Sequence, residues 1–130
     1  MRVGCIRGRR SRSPRRARRR GEWPPIVPSV VLTEALTGVR RRDYHDNRLL
    51  RSCDIHPVDE RLARSAARLR AKTTTPRAPS AVDAIVDAIV DATVVATADD
   101  LGGASILTSD PGALRALARN TVNELRIAAV

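Results

Sequence analysis

Two cysteines, Cys5 and Cys53, are too few and too isolated for a disulfide framework or a zinc knuckle, so a reducing cytoplasm is the expected setting and both thiols read as bystanders. No run of roughly eighteen apolar residues occurs, which excludes a membrane-spanning helix. The N-terminus carries the charge of a secretory leader, but no hydrophobic stretch follows it, which argues against export. His45 and His56 have no partners at metal-ligand spacing and read as surface residues. Before Glu22 there is no acidic residue at all.

The 130 residues suffice for one domain, and a hydrophobic content of 42% fills one core if the whole length takes part. The charge pattern divides the chain instead. Ten arginines fall within residues 1–21, and the other 14 basic residues balance the 14 acidic ones over residues 22–130. The net charge of +10 therefore belongs to the tail. A neutral body does not hold nucleic acid by charge alone, so affinity for RNA must come from local patches, metal ions or the tail. The tail, which includes Arg7-Gly8-Arg9-Arg10-Ser11-Arg12, lacks apolar periodicity and repels itself, and it is expected to be disordered. It reads either as a nucleic-acid-binding arm, as an incidental solvated tail, or as a replaced or wrongly framed N-terminus.

From Trp23 onward the texture is that of a folded domain. Ser29 is placed to cap a short helix with Val30, Val31, Ala35 and Leu36 on its apolar stripe, Glu34 on it, and Gly38 at its end. A second helix is expected from about Arg40 to Ser52, with Tyr44, Leu49 and Leu50 on one side. Residues 53–58 are short and β-like, and Asp59 caps a helix on which Leu62, Ala66 and Leu69 recur at helical spacing. Residues 73–80 form a loop by composition. A long helix from about Ala81 to Asp100 is stopped by Gly102-Gly103, a strand covers Ala104–Thr108, Pro111 opens a helix through Leu114 and Leu117, and residues 121–130 close with a strand. Helices alternating with short strands predict an α/β domain with a mostly parallel sheet.

Within the long helix, Asp83-Ala84-Ile85-Val86, Asp87-Ala88-Ile89-Val90 and Asp91-Ala92-Thr93-Val94 form a four-residue repeat. Four residues advance a helix by about 400°, so the three aspartates drift by roughly 40° per step along one face. One of them is expected at the depth of a buried site.

Glu34, Asp91 and Asp110 are three carboxylates, each on or beside an element that is otherwise apolar. Magnesium and manganese take oxygen ligands and are held by one or two carboxylates with others behind them. In an open parallel sheet the ligand site lies beyond the carboxyl ends of the strands, and Asp110 follows the strand that ends near Thr108. An ion held there would activate water for in-line attack on an RNA phosphate. The plainer alternatives are an exposed Glu34, a solvated Asp91 and a helix-capping Asp110. Thr108 and Ser109 either hydrogen-bond the acids or simply cap the strand end.

Three segments in this order, Val27-Pro28-Ser29-Val30-Val31-Leu32-Thr33-Glu34, Asp91-Ala92 with Ala96-Thr97-Ala98, and Leu107-Thr108-Ser109-Asp110, resemble the PIN-domain ribonucleases. The likeness is to the VapC-type toxins of bacterial toxin–antitoxin pairs, over roughly Pro24 to Val130. It implies a PIN-like three-layer α/β domain and an endoribonuclease dependent on Mg2+ or Mn2+, with Glu34, Asp91 and Asp110 as its catalytic and metal-binding acids. It also implies an RNA substrate, a cognate antitoxin and a homodimer. The repeat leaves Asp87 as a rival to Asp91, and the Val94-Val95-Ala96-Thr97-Ala98 context favours Asp91. Family members begin with a strand ending in a metal-binding Asp. The Arg-rich residues 1–21 offer neither, so the N-terminal strand is expected to be missing and the domain, residues 22–130, to be incomplete.

Three functions follow as expectations: an impaired ribonuclease toxin, an inactive PIN remnant that binds an antitoxin, or a nucleic-acid-binding protein with a basic arm.

Overall fold

Two parallel strand pairs joined through a short central strand form the sheet. The structure, a computed structural model, describes residues 5–7, 24–73 and 82–130. Its strands are β1 (Cys5–Arg7), β2 (Ile26–Pro28), β3 (Asp54–His56), β4 (Ser105–Thr108) and β5 (Arg126–Ala129). Its helices are α1 (Leu32–Ala35), entered through a 3-10 turn at Ser29–Val31, α2 (Tyr44–Leu50), α3 (Glu60–Thr73), α4 (Val82–Asp100) and α5 (Pro111–Ala118). None of the described helices is long and apolar enough to cross a membrane.

The sheet order is β3-β2-β1-β4-β5. β2 pairs with β3 and β4 with β5 in parallel, whereas β1 runs antiparallel to both of its neighbours. The α/β class is as expected, with two corrections. The position expected to be empty for want of an N-terminal strand is occupied by Cys5–Arg7, and the sheet is half parallel rather than mostly so. The physical reason is that strand pairing uses main-chain groups: with the slot open, β2 and β4 would each present unpaired N–H and C=O groups, and almost any extended segment satisfies them. The match is unequal, with three register pairs to β4 and one, Ile6 with Ile26, to β2. For residues 1–4 and 8–21, the expectation of a disordered tail lies outside the described residues, as does most of the loop expected over 73–80.

Local chemistry explains most of the elements. Asp59 caps α3 by accepting the Leu62 N–H at 2.8 Å, and Leu62, Ala66 and Leu69 are buried at the expected spacing. At the end of α4 the Gly103 N–H reaches the Ala98 carbonyl and the Gly102 N–H the Asp99 carbonyl. This is a Schellman motif, with Gly102 at φ 79° in the left-handed region that glycine adopts without cost.

The expected helix over residues 30–38 is shorter, because Leu36 turns extended (ψ 138°) after only four α-helical residues. Ser29 does not cap it; its hydroxyl instead accepts the Val58 N–H at 3.1 Å, joining the end of β2 to the chain leaving β3. The expected helix over 40–52 contracts to Tyr44–Leu50. Its expected apolar side is only partly covered: Leu50 packs against the core, whereas Tyr44 and Leu49 are both more than half exposed.

The core lies where α4 crosses the sheet and meets α3 and α5. Val27 and Ile106 come from the strands, Leu62 from α3, Val94 and Val95 from α4, and Leu114 and Leu117 from α5; all are buried. α4 is buried on every side from Ala92 to Ala98, and its two threonines there donate their hydroxyls to the Ile89 and Thr93 carbonyls one turn back.

Candidate functional site

The carboxyl edge of the sheet positions the three predicted acids. β2 leads through the 3-10 turn into α1, which carries Glu34, and β4 ends at Thr108, two residues before Asp110. β2 and β4 flank β1, so their ends stand about 10 Å apart, two strand spacings. The chain leaves α4 by a short turn and enters β4 at the opposite edge, so α4 returns toward the carboxyl edge along its own N-terminal direction. Asp91 lies nine residues from the end of α4, a rise of about 14 Å, against about 10 Å for the length of β4. That puts Asp91 near the level of the carboxyl edge. Asp87 is one turn, about 6 Å, farther out.

Glu34 and Asp91 are half-buried, and Asp110 is exposed. None of the three, nor Asp87, lacks a partner. Asp110 precedes Pro111 at the start of α5 and makes no side-chain cap hydrogen bond there. Its backbone is held by the buried Thr108, whose Oγ1 accepts the Asp110 N–H at 3.1 Å. The threonine thus caps the strand end and orients the acid through its main chain. Ser109 is exposed.

A metal site needs these donors brought together. Carboxylates are the right chemistry for a hard divalent ion, but among the described residues no three His, Cys, Asp or Glu side chains gather closely enough to hold one. The topology gives the reason. β1 separates β2 from β4, and because it runs antiparallel, its first residue rather than its last meets the carboxyl edge, with Cys5 opposite Leu107 and Arg7 opposite Ser105. A strand in that orientation does not deliver a strand-end carboxylate to the site. The donor set suits the ion, and the arrangement of the described acids does not.

Three other acids, absent from the sequence expectations, have clear structural roles. Asp43 is buried and accepts the Thr37 N–H at 2.8 Å and the Thr37 hydroxyl at 2.7 Å. The Thr37 amide, then its hydroxyl, hold the Asp43 carboxyl below the usual carboxylate range. Asp99 accepts the Val122 and Asn123 N–H groups. Asp100 forms a forked pair with Arg61, which draws its carboxyl down and the guanidinium up. Sequence gave little signal for any of them, since their partners lie 6, 23–24 and 39 positions away.

His45 is exposed, its ring edge-on to Tyr44 at 5.3 Å, and His56 is half-buried in β3. Cys53 is a free thiol whose pKa burial pushes up, the opposite of what a reactive thiolate needs.

A mixed α/β sheet with carboxylates issuing from the ends of β2 and β4 and from the helix behind them defines the class. The chain belongs to the PIN domain family, whose model matches residues 6–120. That membership carries a nuclease-type function at the family level, and PIN domains are in general divalent-metal dependent. No curated protein and no solved structure matches the chain.

Proposed function

We propose that this protein is an impaired, metal-dependent endoribonuclease, the toxin component of a type II toxin–antitoxin pair acting in the cytoplasm. What supports the reading is that Glu34 and Asp110, on segments leaving β2 and β4, and Asp91, on the helix between them, all belong to one edge of a PIN-family sheet. In this reading Glu34, Asp91 and Asp110 would have to draw closer than the described arrangement has them to hold Mg2+ or Mn2+, and the ion would then supply an activated water and charge neutralisation at an RNA phosphate. The protein's own contribution is to aim Asp110 through Thr108 and to carry Asp91 on a rigid, buried helix. A cognate antitoxin binds the folded domain and stabilises it by mass action. Impairment follows from the central strand, which brings no acid to the edge.

The same observation favours a second reading, an inactive remnant that retains only antitoxin binding. The arginines of residues 1–21 carry a third, a basic arm that binds nucleic acid by charge. The deciding experiment is cleavage of a mixed RNA pool by the purified full chain with Mg2+ or Mn2+, beside a chelated sample and an Asp110→Asn twin prepared identically. Weak cleavage that needs metal and vanishes in the twin is expected. A folded sample that cleaves nothing establishes the remnant instead. RNA binding abolished by deleting residues 2–20, without cleavage, establishes the arm.

A further inference from the structure

Residues 22–130 are neutral as a whole, but their charge is not evenly spread. Five of their 14 basic residues crowd into positions 40–51: Arg40, Arg41, Arg42, Arg48 and Arg51. All five are exposed, and among the described residues none makes an ion pair or a side-chain hydrogen bond. The buried acid nearest in sequence, Asp43, is committed to the Thr37 N–H and hydroxyl, which fixes the loop carrying Arg40 and Arg41 without neutralising them.

Two adjoining hollows are built from this segment. One, of about 560 Å3 between α1 and α2, has half-buried Leu32, Leu36 and Leu50 as an apolar floor, with Arg40, Arg48 and Arg51 around it. The other, of about 500 Å3, is lined by Arg40, Arg41, Tyr44 and His45. Arg40 and Tyr44 belong to both, and no acid lines either. The Tyr44 ring is 59% exposed and meets the His45 ring edge-on at 5.3 Å. A cleft lined by charge of one sign concentrates ions of the other.

We infer that these hollows form a binding site for single-stranded nucleic acid, in which successive nucleotides pass on either side of Tyr44. Bases stack on the tyrosine ring and rest on the leucine floor, and phosphates meet Arg40, Arg48 and Arg51. Planar rings alternating with anions are what distinguish such a strand from an acidic peptide, which would use the arginines and leave the ring idle. A duplex keeps its base faces inside its own stack, so it too offers Tyr44 nothing. The site stands apart from the three acids of the sheet edge. Glu34 is two residues from both Leu32 and Leu36, about 200° round the helix from Leu32, and neither Asp91 nor Asp110 lines the hollows. Strand binding here is therefore independent of the nuclease reading.

The test is fluorescence anisotropy of a short labelled oligoribonucleotide, single-stranded or annealed to its complement, titrated with the full chain in EDTA. The chelator keeps metal-dependent cleavage out of the readout, so a chain that cuts nothing still passes and one that cuts still fails. The single strand should bind more tightly than the duplex. Tyr44→Ala should weaken single-strand binding by about fivefold or more through lost stacking, with its salt dependence unchanged, and Tyr44→Phe should restore it. Arg48→Gln/Arg51→Gln should instead lower the slope of log affinity against log salt by roughly 0.7 per arginine. These positions are exposed, so thermal midpoints should match the wild type. Equal affinity for strand and duplex, indifference to Tyr44 or to the arginine pair, or a loss in Tyr44→Phe equal to that in Tyr44→Ala overturns the proposal. So does loss of all binding in Arg15→Gln/Arg16→Gln/Arg18→Gln/Arg19→Gln, which would assign the affinity to the N-terminal arginines. Polyglutamate that displaces the strand equally well from the wild type and from Tyr44→Ala would mark a surface for acidic peptides and overturn it too.

Discussion

Asp99 and Asn123 are joined by three hydrogen bonds. The Asn123 N–H donates to the Asp99 carboxylate at 2.8 Å, and its side-chain amide donates to the carboxylate and to the Asp99 carbonyl, both at 2.9 Å. The pair fastens the end of α4 to the turn that leads into β5. It explains why the terminal strand begins at Arg126 and not at Thr121, since residues 121–125 are committed to this turn, where the Thr121 hydroxyl also shares its one proton between the Ala118 and Asn123 carbonyls.

Asp99→Ala should therefore destabilise the domain by about 1–3 kcal/mol, the cost of leaving partly buried N–H groups without an acceptor. The loss should be concentrated at β5. Urea denaturation gives the total, and hydrogen exchange at Ile127 and Ala128 should accelerate more than exchange at Val94 or Val95.

Asp43 places part of the acid dependence of stability in one loop, beside the part that Asp100 contributes through Arg61. Its folded pKa lies below the ordinary 3.8, so it contributes stability that is fully present above pH 3.8 and is lost as the pH falls through the lower folded value. Asp43→Asn should lower stability at neutral pH and flatten the part of the acid transition below pH 3.8. Thr37→Val, which removes the hydroxyl donor but not the amide, should produce a smaller change of the same sign. Unfolding midpoints measured between neutral pH and pH 3 check both.

What the sequence disclosed divides by distance along the chain. Asp59, the run of Leu62, Ala66 and Leu69, and the Gly102-Gly103 stop were legible because their partners lie within a turn or two. Ser29 was misassigned because a cap is the local use of a serine before a helix, whereas its partner, Val58, lies 29 residues away. The apolar side expected of α2 was unreliable because a spacing of Tyr44, Leu49 and Leu50 says which residues share a face, not that anything covers it. β1 was invisible: three residues beside an arginine run carry no alternation, and their strand is imposed by the open edges on either side. The order of the three acids along the chain was readable, but their separation was not, because it depends on what fills the strand between β2 and β4.

A buried isoleucine of β4 and an exposed one of α4 should respond unequally to truncation. Ile106 is fully buried in β4, between β1 and β5, and Ile106→Ala should cost about 2–5 kcal/mol through lost burial and the cavity left behind. Ile89→Ala, on the exposed N-terminal half of α4, should cost under about 0.5 kcal/mol, the usual range for surface substitutions. Chemical denaturation at low protein concentration compares them. A large loss at Ile89 under those conditions would mean that its side chain is covered within the single chain.

Thr108 separates positioning from folding. Its hydroxyl accepts the Asp110 N–H at 3.1 Å, so Thr108→Val keeps the buried shape and removes the acceptor that fixes the backbone at Asp110. Stability should fall by about 1 kcal/mol, the net worth of one such bond. If the acid works in RNA cleavage, turnover should fall further than this stability loss explains, with substrate affinity little changed, since Thr108 is buried and positions the acid only through the main chain. Thr108→Ser retains the hydroxyl and should recover turnover even though it loses a buried methyl group and some stability. Denaturation midpoints and metal-dependent cleavage rates on the same three proteins decide the matter: turnover that follows stability across the series, rather than the hydroxyl, would leave Thr108 as a strand-end cap and nothing more.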